Sequence, residues 1–462
     1  MDPRTKMLLE APVTRTIVRL ALPNVAVMVV QASIGLIETY FVAKLGLDAL
    51  AGMALVFPLF MLLQMVSAGA MGGGILSAVA RALGAGNNER ANELVWSSIA
   101  ITILLGALTT AGALLFGPKL YAAMGGTGGS LAAAMTYSGI VFAGAVPLWL
   151  FNSFAAVIRG TGNMFFPAAV TTVGALVLLP LSPLLIFGLG PFPQLGIAGG
   201  AVAVLAYYVI GCAVFVFYIW SSRSVLTPSK LPPRLSWSPM RDILRIGAVS
   251  SIVSLSTNVS IATATGLAGV VGPAAVAGYG TGARLEYLLV PLVFGLGAPV
   301  AAMVGTSIGA GNRLRALRVA WTGAAIAFGI TEIIGLAAAA FPTVWLSPFG
   351  SDPAMLETGT LYLRTVGPVY GFFGGGLLLY FASQGAGRVG WAMVVAVLRV
   401  IIAAGGGWLA VRYFGGSMPL FTALAAALFV YGILNAIAVA SGSWFVKEKP
   451  APKAPVLVPQ PT

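Results

Sequence analysis

The chain reads as an all-α polytopic membrane protein, with twelve transmembrane helices arranged as two pseudo-symmetric six-helix lobes. Three observations predict this. Apolar residues make up 59% of the chain and charged residues 8%; a soluble domain carries about 25% charged residues, so polar groups cannot cover a water-facing surface here. The apolar runs are about 20 residues long, the length of a spanning helix rather than of a ~10-residue barrel strand. Finally, landmarks recur at a fixed interval. Gly84-Ala85-Gly86-Asn87 returns 225 positions later as Gly309-Ala310-Gly311-Asn312, and Arg159-Gly160-Thr161-Gly162 returns at the same offset as Gln384-Gly385-Ala386-Gly387. A looser match at 226 sets Thr39, Gly46, Ala51 and Gly52 against Thr265, Gly272, Ala277 and Gly278.

Taken in order, Met1 to Thr16 is largely polar and the first apolar run continues past Val42 without a cleavage-like site, so no removable signal peptide is expected. Spans follow at 16–43, 48–72, 94–117, 131–154, 164–189 and 196–220. The segment 221–240 holds Pro228, Pro232, Pro233 and Pro239 with several bases, too polar to span and too proline-rich for a long helix. It is read as a cytoplasmic linker between an N-terminal lobe, 1–220, and a C-terminal lobe, 241–446. The second set of spans falls at 241–268, 274–304, 316–342, 358–382, 391–412 and 419–445, and the Pro/Lys-rich tail 447–462 is expected to be disordered.

The net charge of +13 reports topology. Nineteen Lys and Arg residues fall in the loops of one side, and only Lys44, Lys119 and Arg412 on the other. The positive-inside rule then places both termini in the cytoplasm of a cell whose inner membrane the chain spans. The bases are scattered between apolar spans without interleaved aromatics, which excludes a nucleic-acid surface. Six spans per copy give both copies one orientation, the parallel repeat found in secondary transporters, with a substrate path between the halves. There is no His and one Cys, Cys212, so neither a disulfide nor a Cys/His metal cluster is available, and no catalytic constellation for an enzyme is found.

Only three acids fall well inside apolar spans: Glu38, Glu286 and Glu332. A carboxylate at bilayer depth is expensive unless neutralised or partnered, so each is a functional candidate. Glu38 leads. Asn24, Gln31 and Glu38 follow at steps of seven, which sets them on one stripe of the first helix with a drift of only ~20° per step. Such a stripe faces a cavity rather than lipid, and Pro23 at its start is a candidate kink. In the second copy the matching position is Ala264, an asymmetry that assigns coupling to the first lobe. Thr39, Gln64, Ser67, Tyr137, Asn152, Tyr207 and Tyr208 are the cavity partners expected around Glu38, with ordinary interhelical bonding as the competing reading. Glu286 lies two residues from Arg284, positions that do not face each other on a helix. Both, with Glu332, are gating candidates.

The motifs resemble the multidrug and toxic compound extrusion (MATE) family over about residues 15–445. The resemblance rests on Ala80-Arg81-Ala82-Leu83-Gly84-Ala85-Gly86-Asn87, on Ile158-Arg159-Gly160-Thr161-Gly162-Asn163, and on their second copies. It implies two six-helix lobes in a V shape and export of organic compounds against inward proton or sodium flow. Glu38-Thr39 stands where the family commonly has Asp-Thr, and Tyr137 and Asn152 match residues that commonly complete the acid's network there. The loop residues Gly84, Gly86, Arg159, Gly160, Gly309, Gly311 and Gly385 are read as structural, allowing tight turns and close helix approach. The chain departs from one branch by carrying Leu178 and Ser182 where that branch has an Asn and an Asp. It departs from the sodium-coupled branch by having no acid at 243–268 or 358–387.

The expectation is therefore a monomeric antiporter without a bound cofactor, exporting lipophilic, often cationic compounds in exchange for protons, with Glu38 as the coupling carboxylate. Protonation from outside releases the cation, and substrate binding inside displaces the proton. Sodium coupling is disfavoured by the missing acids. A flippase or exporter of lipid-linked or anionic metabolites would call for buried Arg outnumbering buried acids, and only Arg284 and Arg399 are available.

Overall fold

The computed structural model describes residues 2–231, 233–234 and 236–444; the side chains of Met28, Val29, residues 31–36 and Tyr287 lie outside that description, as does the expected disordered tail. Among the described residues there are helices and turns and no strand. A short helix α1 (Pro3–Glu10), capped by the Asp2 carboxylate on the Arg4 amide, occupies the stretch read from sequence as a polar leader. Leu8 is buried on its inner side.

The first lobe comprises α2 (Val13–Ala43), α3 (Leu47–Gln64), α4 (Gly72–Gly84), α5 (Asn88–Ala123), α6 (Gly128–Ala143), α7 (Ala145–Gly160), α8 (Phe165–Phe187) and α9 (Ile197–Ile219). A π-helical turn, Met65–Met71, joins α3 and α4 into one long span. α6 and α7 form another, bent by 49° at Gly144. The second lobe runs through α10 (Trp237–Val271), α11 (Pro273–Gly309), α12 (Arg313–Ala340), the short α13 (Pro342–Leu346), α14 (Pro353–Val366), α15 (Tyr370–Gly385), α16 (Gly390–Ile401), α17 (Gly407–Tyr413) and α18 (Ser417–Ala440). A 3-10 turn at Gly367–Val369, holding Pro368, interrupts the span made by α14 and α15. A second π turn, Ile402–Gly406, joins α16 to α17.

Among the described residues ten helices are long and apolar enough to cross a membrane, eleven with the bent α6–α7 pair counted as one; with the 31-residue α2 they match the expected two-lobed bundle, and the helices are longer than the apolar runs that announce them. α5 begins at Asn88 rather than 94, and α12 begins at Arg313 rather than 316. The extra turns come from polar caps that hydropathy does not detect. Asn87 and Asn312 each accept from the amide three residues on, at 2.8 and 3.0 Å, satisfying one of the donors that every helix start leaves open.

The repeat persists down to backbone angles. Gly86 and Gly311 both have φ +71°, and Gly162 and Gly387 have +82° and +72°, turns that a side chain would strain. Gly84 and Gly309 are there for a different reason. A Cβ on Gly84 would lie 2.1 Å from the Thr306 carbonyl oxygen, and one on Gly309 would lie 2.1 Å from the Arg81 carbonyl oxygen. Thr306 stands 225 residues after Arg81, so a single contact is made twice, lobe against lobe, about the pseudo-twofold axis. Bilayer helices have little hydrophobic reason to associate, and close approach at small residues supplies the packing instead. The lobes are thus zipped together at the end bearing the basic loops. Arg90 adds a 2.7 Å ion pair to Asp242, and Arg315 donates to the Leu8 and Ala11 carbonyls at 2.9 and 2.7 Å.

Candidate functional site

In the first lobe, the π turn exposes side chains that a regular helix would space differently. Gln64 and Ser67, at its start, are gathered by Asn152 of α7, whose amide donates to Gln64 Oε1 at 2.9 Å and Ser67 Oγ at 2.8 Å. Gln64 Nε2 in turn donates to the Tyr208 hydroxyl of α9 at 2.5 Å. Residues from four elements therefore share one polar chain inside an apolar lobe.

Glu38 stands beside this chain, near the end of α2 remote from the basic loops. It lies within electrostatic reach of the Tyr137 and Tyr208 hydroxyls. Its Oε1 is buried and has no hydrogen-bond partner among the described residues. A buried carboxylate oxygen without a donor is costly while charged, and that cost is removed by a proton or by a cation brought to it.

The other expected first-lobe residues are placed differently. Asn24 is buried, and its Nδ2 has no hydrogen-bond partner among the described residues. It is fourteen residues from Glu38, about 21 Å along the helix, so the two do not share a site. The Gln31 side chain lies outside the described residues. Thr39 is exposed. Tyr207 does not join the Gln64 chain. It packs on Phe151 and lines an apolar cavity of about 300 Å³ between α8 and α9. Its neighbour Tyr208, rotated ~100° around the helix, makes the polar link.

The second lobe holds a matching but altered site. Ala264, the counterpart of Glu38, lines a cavity of about 30 Å³ with Glu286, Tyr279, Tyr362 and Arg399, large enough for one water. Tyr362 is the counterpart of Tyr137 at offset 225 and donates to Glu286 Oε1. The carboxylate–tyrosine pairing is thus kept, with the acid supplied from α11 instead of α10. Arg399 faces the same cavity, buried over the rings of Phe373 and Tyr431 at 5.1 and 5.4 Å. The π turn at 402–406 follows it directly. Tyr362 was not among the sequence-predicted site residues, and Arg399 was singled out only as a buried base for the flippase reading. The offset of Tyr137 to Tyr362 was the signal that would have found the first of them.

The gating candidates separate. Arg284 points away from Glu286, its guanidinium 5.0 Å over the Phe349 ring. Glu332 accepts from the Gly371 amide at 2.7 Å, which caps the start of α15 just after the break at Gly367–Val369. Carboxylates are favoured at helix N-termini, and this contact gives Glu332 a structural occupation. Arg159 and Gly160 end α7, where a Cβ on Gly160 would meet the Leu76 carbonyl oxygen at 3.0 Å. Gly385 makes the equivalent approach to the Ala301 carbonyl.

A family model described as MatE matches residues 23–184 and again residues 249–409. The chain belongs to the MATE family. The two matches are displaced by the same interval as the repeat, one per lobe. Among curated relatives of this MATE transporter, an FAD transporter of Shewanella oneidensis is 26% identical over 86% of this chain and 87% of its own. A probable multidrug resistance protein NorM of Thermotoga maritima is 25% identical over 84% and 83%. Among solved structures, MATE in the straight conformation aligns with a TM-score of 0.86 at 23% identity, covering 96% of this chain and 98% of that one. A MOP superfamily transporter from Pyrococcus furiosus, described as having a reversed binding-pocket polarity, aligns at 0.84 with 23% identity over 96% and 98%. These similarities establish the fold.

Proposed function

We propose that this MATE transporter exports lipophilic, often cationic organic compounds in exchange for protons, with Glu38 as the coupling carboxylate. The observation that carries the reading is the buried, unpartnered Glu38 Oε1 beside the Tyr137–Tyr208–Gln64–Asn152 cluster. An unpaired buried carboxylate is held either by a proton or by a cation, and this exclusivity is what antiport requires. Protonation from the far side releases the substrate, and substrate arriving from the cytoplasm displaces the proton. Glu286 is the weaker coupling candidate because Tyr362 already donates to it and Arg399 faces it across a water-sized cavity.

The basic-loop end is the cytoplasmic face of the inner membrane in this reading. The zipped lobes then represent a state closed to the cytoplasm. The lobe boundary falls in the 221–240 segment, and one chain acts alone. The work is transport, driven by the proton gradient without a bound cofactor. Sodium coupling is disfavoured because the chain carries no acid at 243–268 or 358–387, the stretches where the resemblance leads sodium-site acids to be expected.

A second reading is favoured by one relative. The Shewanella FAD transporter points to an anionic flavin nucleotide as substrate, in which case Glu38 would couple to protons without touching the cargo's charge.

The test is transport into everted vesicles of ethidium and, separately, of FAD, driven by a pH gradient or by a sodium gradient, in wild type and Glu38→Gln. Ethidium uptake on the pH gradient alone, abolished by the substitution at equal protein level, supports the leading reading. Sodium-driven uptake surviving the substitution overturns it, and uptake of FAD alone moves the assignment to the second reading.

A further inference from the structure

A cavity of about 840 Å³ opens at the basic-loop end, between α1, the first turns of α2, and the facing ends of α8 and α9. None of the residues of the proposed coupling site lines it. Arg4, Arg19 and Arg223 line it, and among the described residues no carboxylate does. The acids on α1 are engaged elsewhere, Asp2 with the Arg4 amide and Glu10 with Lys6. Arg19 and Arg223 are exposed, and their guanidinium groups make no hydrogen bond or ion pair among the described residues.

The floor is constructed rather than incidental. Tyr218 OH accepts from Arg4 Nη1 at 3.0 Å and from Asn163 Nδ2 at 2.9 Å, and the Tyr218 ring stacks on Phe166 at 4.0 Å and 21°. Arg4 is therefore held at a fixed point while the other two remain available. Phe165, on the rim, is 72% exposed, and Leu22, beside the lining residue Pro23, is 64% exposed, so the rim is apolar as well as basic.

We propose that this cavity binds a phosphate group, carried either by an acidic lipid of the adjoining leaflet or by a soluble organophosphate. Three guanidinium groups around one concavity present forked donors that match phosphate oxygens in pairs, and the volume is that of a ligand site. Basic pockets between helices at the cytoplasmic face suit acidic headgroups, and the apolar rim gives an acyl chain somewhere to lie. A merely solvated basic surface would show neither the concavity nor a floor of buttressed aromatic and amide groups.

The test uses the full-length protein in delipidated detergent solution, titrated with cardiolipin, phosphatidylcholine and inorganic pyrophosphate and read by native mass spectrometry. Arg19→Gln/Arg223→Gln is compared with a control pair on α10, Arg241→Gln/Arg245→Gln, at the same end of the bundle. Binding is expected to weaken about fivefold for each guanidinium removed from the cavity, the weight one base carries near an anionic lipid surface, with the control unchanged. Loss of cardiolipin binding alone identifies lipid as the source; loss of pyrophosphate binding identifies a soluble phosphate. Equal binding in both double variants, or preference of the wild type for phosphatidylcholine, overturns the proposal. Unchanged size-exclusion profiles verify that the variants fold.

Discussion

Replacing Gly84 by alanine adds one methyl group, and the fold leaves no room for it. The new Cβ would lie 2.1 Å from the Thr306 carbonyl oxygen and 2.8 Å from its Cα. Backbone atoms cannot rotate away as a side-chain tip can, so α4 and α11 must part by more than 1 Å to reach ordinary contact. Overpacking of this kind costs about 1–3 kcal/mol, and it is felt only while the basic-loop ends are together. Since 1.4 kcal/mol is a factor of ten, the closed arrangement should lose roughly five- to 150-fold against open ones. The nearby ion pair Arg90–Asp242 is partly exposed and contributes under about 1 kcal/mol, so it cannot hold the lobes against that strain. Gly86 is the internal control. Its φ is +71° but nothing lies within 4 Å of an added Cβ, so Gly86→Ala strains the turn by about 1–2 kcal/mol without touching the other lobe. The assay is a spin-label distance measurement between Glu89→Cys and Leu314→Cys, both exposed, in a Cys212→Ser background. Gly84→Ala should broaden the distribution toward longer distances while Gly86→Ala leaves it unchanged. A Gly84→Ala distribution identical to wild type would refute the claim that this contact closes the bundle.

Glu332→Ala removes the carboxylate that caps the Gly371 amide, and should lower unfolding stability by about 1 kcal/mol, seen as a small drop in Tm, while leaving the coupling ion unchanged. Arg399→Gln strips the countercharge facing Glu286 and should destabilise by about 1–3 kcal/mol. Adding Glu286→Gln should recover most of that loss, a non-additivity that a double-mutant thermal-shift cycle reads directly.

The spanning helices and the two-lobe division were legible because hydropathy length and repeat spacing are local, countable signals. The tight turns were legible too, since the left-handed conformation at Gly86 and Gly311 is a short-range requirement on residue type, whereas the caps at Asn87 and Asn312 were missed because a hydropathy run does not register them. Less visible was why Gly84 differs from Gly86 only two residues away. The first is fixed by a carbonyl 222 residues distant in sequence, and no local pattern carries that. The same holds for Glu286 and Tyr362, which meet across 76 residues, and for Glu332, whose partner is a backbone amide rather than a side chain. Asn24 and Glu38 do lie on one helix, but the seven-residue stripe overstated their association, because a stripe fixes direction and not depth. Assigning coupling to one lobe from Ala264 also missed that an acid can reach the equivalent pocket from the next helix.

The most direct measurement is proton release on substrate binding by the purified transporter in weakly buffered solution. With ethidium, the account predicts about one proton released per substrate bound in wild type and in Glu286→Gln, and none in Glu38→Gln. Release that persists in Glu38→Gln and vanishes in Glu286→Gln would contradict it and move the coupling carboxylate to the second lobe.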